Sequence, residues 1–215
     1  MQTLQTCVHS GVVRHDPTNH WLRNRSAHLR KGDLTRSSGP LSVLMAMMSF
    51  GFASKAYVRD LPDAQEGDLL EPLWVRARDV FFAGAEPGQI LTLLDAVERY
   101  VSRESKTGSM RKVLAFTLAR LAANDLVLLG FGEAAIGTYH WTLAVGVESE
   151  VSGRKREATG VLCLDAAEAA PMLAAFNARL ELDSPKRGAS KLSYRGADGR
   201  VLLVTCTSAI ALSRR

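Results

Sequence analysis

From Leu41 the chain reads L-S-V-L-M-A-M-M-S-F-G-F, apolar nearly all the way round a helical turn. A helix without a polar face has no place at the surface, so the segment Leu41–Phe52 predicts a buried helix around which the rest must pack. Just upstream stands R-S-S-G-P, small polar residues and a Gly-Pro at the point where that helix would begin. At 215 residues and 47% hydrophobic content the chain can bury one sizeable core and not two large ones. No apolar run reaches the roughly 18–20 residues that a membrane-spanning helix needs.

Three amphipathic helical patterns come next. Leu69, Leu70, Leu73, Trp74, Ala77, Val80 and Phe81 make the first. Ile90, Leu91, Leu93, Leu94, Val97 and Val101 make the second, opened by Pro87-Gly88, and Val113 to Ala122 make the third, stopped near Asn124-Asp125. After Asp125 the texture changes to short apolar runs bounded by turn residues: D-L-V-L-L-G-F, Y-H-W-T-L-A-V-G-V-E and T-G-V-L-C-L-D read as strands. The stretch from Ala166 to Leu182, rich in alanine and broken by Pro171, reads as a helical insertion, and Lys191 to Leu212 closes the chain as a hairpin around Ala197-Asp198-Gly199. Helices first and an antiparallel sheet last predict an α+β domain over residues 38–215. The polar residues 1–37 read as an extended segment wrapping it, with weak regular structure.

Charge and cysteine content narrow the function classes. The net charge of +5 is scattered over Arg23–Lys31, Arg111-Lys112 and Arg154–Arg156. No basic stripe with interleaved aromatics and no zinc-ligand spacing accompanies it, so specific nucleic-acid binding is not expected. Cys7, Cys163 and Cys206 form no C-x-x-C pair and no disulfide framework. Cys163 and Cys206 lie in strand-like runs, where buried free thiols are the usual reading, and Cys7 could be exposed. His9, His15, His20 and His28 share the N-terminal segment without metal-ligand spacing. The N-terminus lacks a basic region followed by an apolar one, so the expected location is cytoplasmic, or that of an exported effector without a cleaved signal.

Three residues carry the chemistry that this arrangement allows. Ser38 stands at the N-terminus of the buried helix, where a positive dipole end and unpaired N–H groups stabilise an anionic nucleophile. His140 lies near the start of a strand, and Asp165 ends the next one. A histidine there can take the nucleophile's proton, while a neighbouring carboxylate fixes its tautomer. Each has an ordinary reading when taken alone. Ser38 is then a helix N-cap, His140 a structural histidine, and Asp165 a cap for the helical insertion after it. Their order and context together favour a site.

S-G-P-L-S-V-L-M-A-M-M-S-F-G resembles the nucleophile helix of papain-like cysteine peptidases of the bacteriocin-leader-processing (double-glycine) type, C-G-P-x-S-x-x-M-x-x-x-x-F-G. H-W-T-L-A-V-G-V-E and G-V-L-C-L-D-A-A-E-A-A-P resemble that group's core strands. The resemblance covers about Thr35–Gly51 and Asp125–Pro171. It implies a papain-like α+β fold, with a buried nucleophile helix packed on a C-terminal antiparallel sheet. It also implies hydrolysis of a peptide or isopeptide bond in a peptide or protein substrate, without metal or organic cofactor. Ser38 would hold the nucleophile's place, His140 act as general base and acid, and Asp165 orient it. Gly39, Asp33 and Trp141 are the further oxyanion or cleft candidates.

Two departures stand out. The family's nucleophile is cysteine, and a serine hydroxyl is far less acidic than a thiol. The glutamine that the family sets before its nucleophile has no counterpart in L-R-K-G-D-L-T-R, which offers Asp33 but no side-chain amide. Ser38 is therefore open to three explanations: a serine put in place of cysteine, a natural serine in a peptidase-like module that binds a peptide or partner protein without cutting it, and a working serine nucleophile.

Overall fold

The structure, a computed structural model, describes residues 3–10, 27–32, 36–133, 138–171, 174–182 and 191–215. The all-round apolar segment forms α1 (Ser38–Ser49), every residue of which is buried. Short helices succeed it at α2 (Lys55–Arg59), α3 (Glu71–Ala77), α4 (Pro87–Asp95) and α5 (Met110–Ala122), the last two separated by strand β2 (Val101–Thr107). The N-terminal strand is β1 (Thr3–Val8). The remaining strands are β3 (Leu126–Glu133), β4 (Thr138–Ser152), β5 (Lys155–Leu164), β6 (Ala178–Glu181), β7 (Leu192–Gly196) and β8 (Val201–Arg214). Among the described residues no helix is long and apolar enough to cross a membrane.

The expected papain-like α+β arrangement is not what the chain forms. The protein is mostly sheet: β3, β4, β5, β6, β7 and β8 close into a six-stranded antiparallel barrel, with β1 paired to β4 and β2 paired to β8. The cause lies in two strands of unusual length. β4 has 15 residues and β8 has 14, about 50 Å of extended chain each, too long for one partner. β4 pairs with β3 over Thr138–Ala144 and with β5 over Leu143–Ser152, and β1 takes up its free edge over Gly146–Val151. β8 likewise passes from β7 to β3 and β2. Register shifts at Ala144/Gly146 and Gly130/Phe131 bend the strands where they change partners, which lets the sheet curl until β5 meets β4.

Two local expectations also fail. The second helical pattern predicts a helix through Val101; α4 ends at Asp95 and Val101 opens β2. The insertion expected as helix over 166–182 contains turns and then β6, in which Ala178 and Leu180 are buried while Arg179 and Glu181 are half-buried. That period of two is a strand pattern, and barrel pairing to β5 and β7 overrides the helix propensity of the alanines.

The barrel strands present two apolar faces. Leu126, Leu128, Trp141, Leu143 and Leu164 pack with α1, α3 and α4 in one cluster. Val127, Leu129, Phe131, Ala144, Cys163, Leu180, Tyr194 and Cys206 form the other, lining the barrel with Val113 of α5. α1 therefore lies against the outside of β3 and β4, with its N-terminus near the start of β4. Gly39 makes that approach possible: a Cβ there would come within 2.7 Å of Ile90 Cδ1 and 3.2 Å of Trp141 Cδ1.

Candidate functional site

α1 begins one residue earlier than a capping role for Ser38 would need. Ser37 is its N-cap and Ser38 is the first helical residue. The Ser38 side chain, 3% exposed, is not used on its own helix: Oγ accepts a hydrogen bond from the backbone N–H of Trp141 at 3.2 Å. Because side chains alternate along a strand, Trp141 and His140 leave β4 on opposite sides. Trp141 is fully buried beside α1, with its indole N–H donating to the Ala85 carbonyl at 2.7 Å. His140 turns toward the barrel end, stacked on Phe131 at a ring separation of 6.1 Å.

His140 meets Asp165 there. The His140 Nε2 and Asp165 Oδ2 atoms are 2.7 Å apart, and the carboxylate is almost completely buried. The same oxygen accepts from the Tyr194 hydroxyl at 2.6 Å, and Oδ1 accepts from the Ala167 backbone N–H at 2.8 Å. Burial by itself would push the Asp165 carboxyl up. The positive charge of His140, with the hydrogen bonds from His140, Tyr194 and Ala167, outweighs it and holds the group below the ordinary carboxylate range. Tyr194 shifts the other way: burial, then the Asp165 charge, push its hydroxyl well above 10, so it remains a donor.

The backbone at Asp165 is fixed as firmly as its side chain. Asn177 Oδ1 accepts from the Asp165 N–H at 2.7 Å, and Asn177 Nδ2 donates to the Asp165 carbonyl at 2.9 Å. His28 Nε2 lies 2.9 Å from that same carbonyl, and the Lys31 N–H donates to the Ala166 carbonyl at 2.8 Å. Burial lowers the affinity of His28 for a second proton, which favours the neutral ring with its proton on Nε2, directed at the carbonyl.

A cleft of about 400 Å³ opens over these groups, and Ser38, His140, Asp165 and Tyr194 all line it. The three residues singled out from the sequence are thus brought to one cavity. No direct hydrogen bond joins Ser38 to His140 within it; among the described residues the bond of Ser38 Oγ is to Trp141, and His140 Nδ1 is left uncommitted. Gly39 and Trp141 lie in the core beneath the cleft rather than on its wall. Asp33 and the histidines His15 and His20 lie outside the described residues. Among the described residues no group of three or more His, Cys, Asp and Glu side chains is disposed to hold a metal ion.

Sequence reasoning passed over Tyr194 and Asn177. Tyr194 carried a legible signal: Leu192 and Tyr194 are the inward positions of a short strand, and an inward phenol requires a hydrogen-bond partner. Asn177 carried none, since its partner is a backbone 12 residues away across a turn. No protein-family model matches the sequence, and no curated protein matches it.

Proposed function

We propose that the protein hydrolyses a peptide or isopeptide bond through an acyl intermediate on Ser38, with His140 as general base and acid and Asp165 orienting it. The observation that carries this reading is the buried Asp165 carboxylate on His140 Nε2, which leaves Nδ1 as the proton acceptor in a cleft shared with Ser38. The Ser38 proton passes to Nδ1 as Oγ bonds to the carbonyl carbon. His140 then returns that proton to the departing amine as the C–N bond breaks. Water, deprotonated by the same nitrogen, attacks the acyl-serine, and the carboxylic acid leaves as Ser38 recovers its proton.

Two features of the chain favour charge on Ser38 Oγ: its place at the N-terminus of a 12-residue helix and the Trp141 N–H already directed at it. A thiol would ionise far more readily in the same surroundings. Replacing Ser38 by cysteine is therefore expected to raise reactivity. A second reading, a module that holds a peptide without cutting it, is favoured by the absence of a Ser38–His140 hydrogen bond.

Labelling separates the two. A Cys7→Ser, Ser38→Cys protein should be modified once by a thiol-directed chloromethyl ketone at neutral pH, and His140→Ala should slow that modification by about 100-fold or more. The unsubstituted chain should react more slowly with a fluorophosphonate at Ser38. A folded Ser38→Cys protein whose labelling is unaffected by His140→Ala would leave the binding reading standing and remove the catalytic one.

A further inference from the structure

Among the described residues, the lining of the cleft over Ser38 is unbalanced in charge. Two carboxylates and three cations are found there: Asp165 and Glu168 against Lys31, Arg36 and Arg200. Both carboxylates are already engaged. Asp165 is shared between His140, Tyr194 and the Ala167 N–H. Glu168 Oε2 accepts from the Ala197 N–H at 3.1 Å, and its Oε1 lies 4.0 Å from Arg200, which also reaches Asp198 at 3.5 Å. Lys31 and Arg36 form no ion pair with any carboxylate among the described residues.

The chain places both cations beside the site. The backbone N–H of Lys31 is bonded across the turn after Asp165. Arg36 stands two residues before Ser38, packed beside Gly84. Positive charge held in a concave, partly apolar wall acts on a bound ligand more strongly than the same charge on open surface. The cleft lining also includes Leu202, 48% exposed, together with Val204.

We infer that the substrate is a peptide carrying an acidic side chain beside an apolar one, the carboxylate seated between Lys31 and Arg36. This rests on reading Ser38 as the residue to which the scissile bond is presented, but its test does not depend on turnover.

Fluorescein-labelled, C-terminally amidated octapeptides of alanine and leucine, each with one glutamate or one glutamine at successive positions, would be titrated against the full chain by anisotropy. At low salt the glutamate peptides should bind roughly tenfold tighter than their glutamine partners at one or two positions, and the gap should close toward 0.5 M NaCl. Lys31→Glu and Arg36→Glu together should abolish or invert that preference, with circular dichroism confirming that the fold is kept. The single changes Lys31→Gln and Arg36→Gln serve in its place if it is not. Equal binding of glutamate and glutamine peptides at every position, or no binding of either, would overturn the inference. Glutamate preference in a protein whose Ser38 resists the fluorophosphonate would remove the catalytic reading and leave this one intact.

Discussion

Replacing Asn177 with alanine should cost the protein about 2–4 kcal/mol of stability, and the contributions can be followed atom by atom. The Asn177 side chain makes three hydrogen bonds: from the Asp165 N–H at 2.7 Å, and to the carbonyls of Asp165 and Ala169 at 2.9 Å each. They are not equivalent when lost. Asp165 is 1% exposed, so its N–H would be left buried without a partner, a cost of about 1–3 kcal/mol. The Asp165 carbonyl keeps His28 and loses only one of two donors, roughly 0.5–1 kcal/mol. Ala169 is exposed, and water replaces the missing amide at little cost.

Urea denaturation of the two proteins, with equal slopes and a shifted midpoint, measures the difference directly. Asn177→Asp is the sharper variant. It keeps the acceptor for the Asp165 N–H but turns both donated bonds into contacts between a carboxylate and carbonyl oxygens, so it should be at least as destabilising at neutral pH. A midpoint for Asn177→Ala within about 0.5 kcal/mol of the unsubstituted protein would mean that the turn is held by something else. An aspartate tolerated at position 177 would refute the donor assignment outright.

Tyr194→Phe removes a hydrogen bond to a buried charged oxygen and should destabilise by about 1.5–3 kcal/mol at pH 7. Because the native pKa of Asp165 lies below its unfolded value, its contribution is full above about pH 4 and is lost as the pH falls through the native value. The gap between the two proteins should therefore narrow in urea titrations at pH 3 relative to pH 7, and a gap independent of pH would refute the role given to Asp165. Of the three thiols, only Cys7 is exposed; burial pushes Cys206 up to about 12 and Cys163 higher still. A maleimide should label one cysteine rapidly in the native protein and all three in denaturant. Rapid native labelling at two sites would contradict the closed barrel that shields Cys163 and Cys206.

What could be read of the fold before any coordinates was local. The buried α1, the helix at 113–122, the strand segments at 125–131, 139–148 and 159–165 and the closing hairpin at 191–212 leave periodicities or turn residues in the sequence, whereas the polar 149–158, where β4 and β5 continue, reads as a loop or hairpin. Closure of the sheet leaves none. It depends on β4 and β8 exchanging partners part-way along, and which neighbour a strand pairs with is not written in its own run of apolar and polar residues. β2 escaped for a related reason. V-S-R-E-S-K-T has one buried residue and an otherwise exposed face, a polar edge strand that owes its extension to pairing with β8. β6 was hidden by its neighbours, since Ala-rich sequence around Pro171 states a helical preference that four residues of barrel pairing overrule.

The candidate site was legible as residue types in order, but its hydrogen bonds were not. Ser38 shows the difference. A serine serving only as a cap would give its oxygen to the N–H groups of its own helix, and Ser37 already occupies that position. Ser38 Oγ instead meets the N–H of Trp141, the residue whose chain neighbour is His140. That bond uses the oxygen as acceptor and leaves the hydroxyl proton without an acceptor among the described residues. In the same cleft, the Asp165 contact consumes one ring nitrogen of His140 and leaves the other without a partner among the described residues. A donor without an acceptor and an acceptor without a donor, lining one cavity beside a buried carboxylate, is what proton transfer between them requires. A side-chain rotation or a bound acyl group that brings Oγ and Nδ1 together would satisfy both, whereas a serine kept only for the Trp141 N–H would gain nothing from the His140–Asp165–Tyr194 chain assembled across from it.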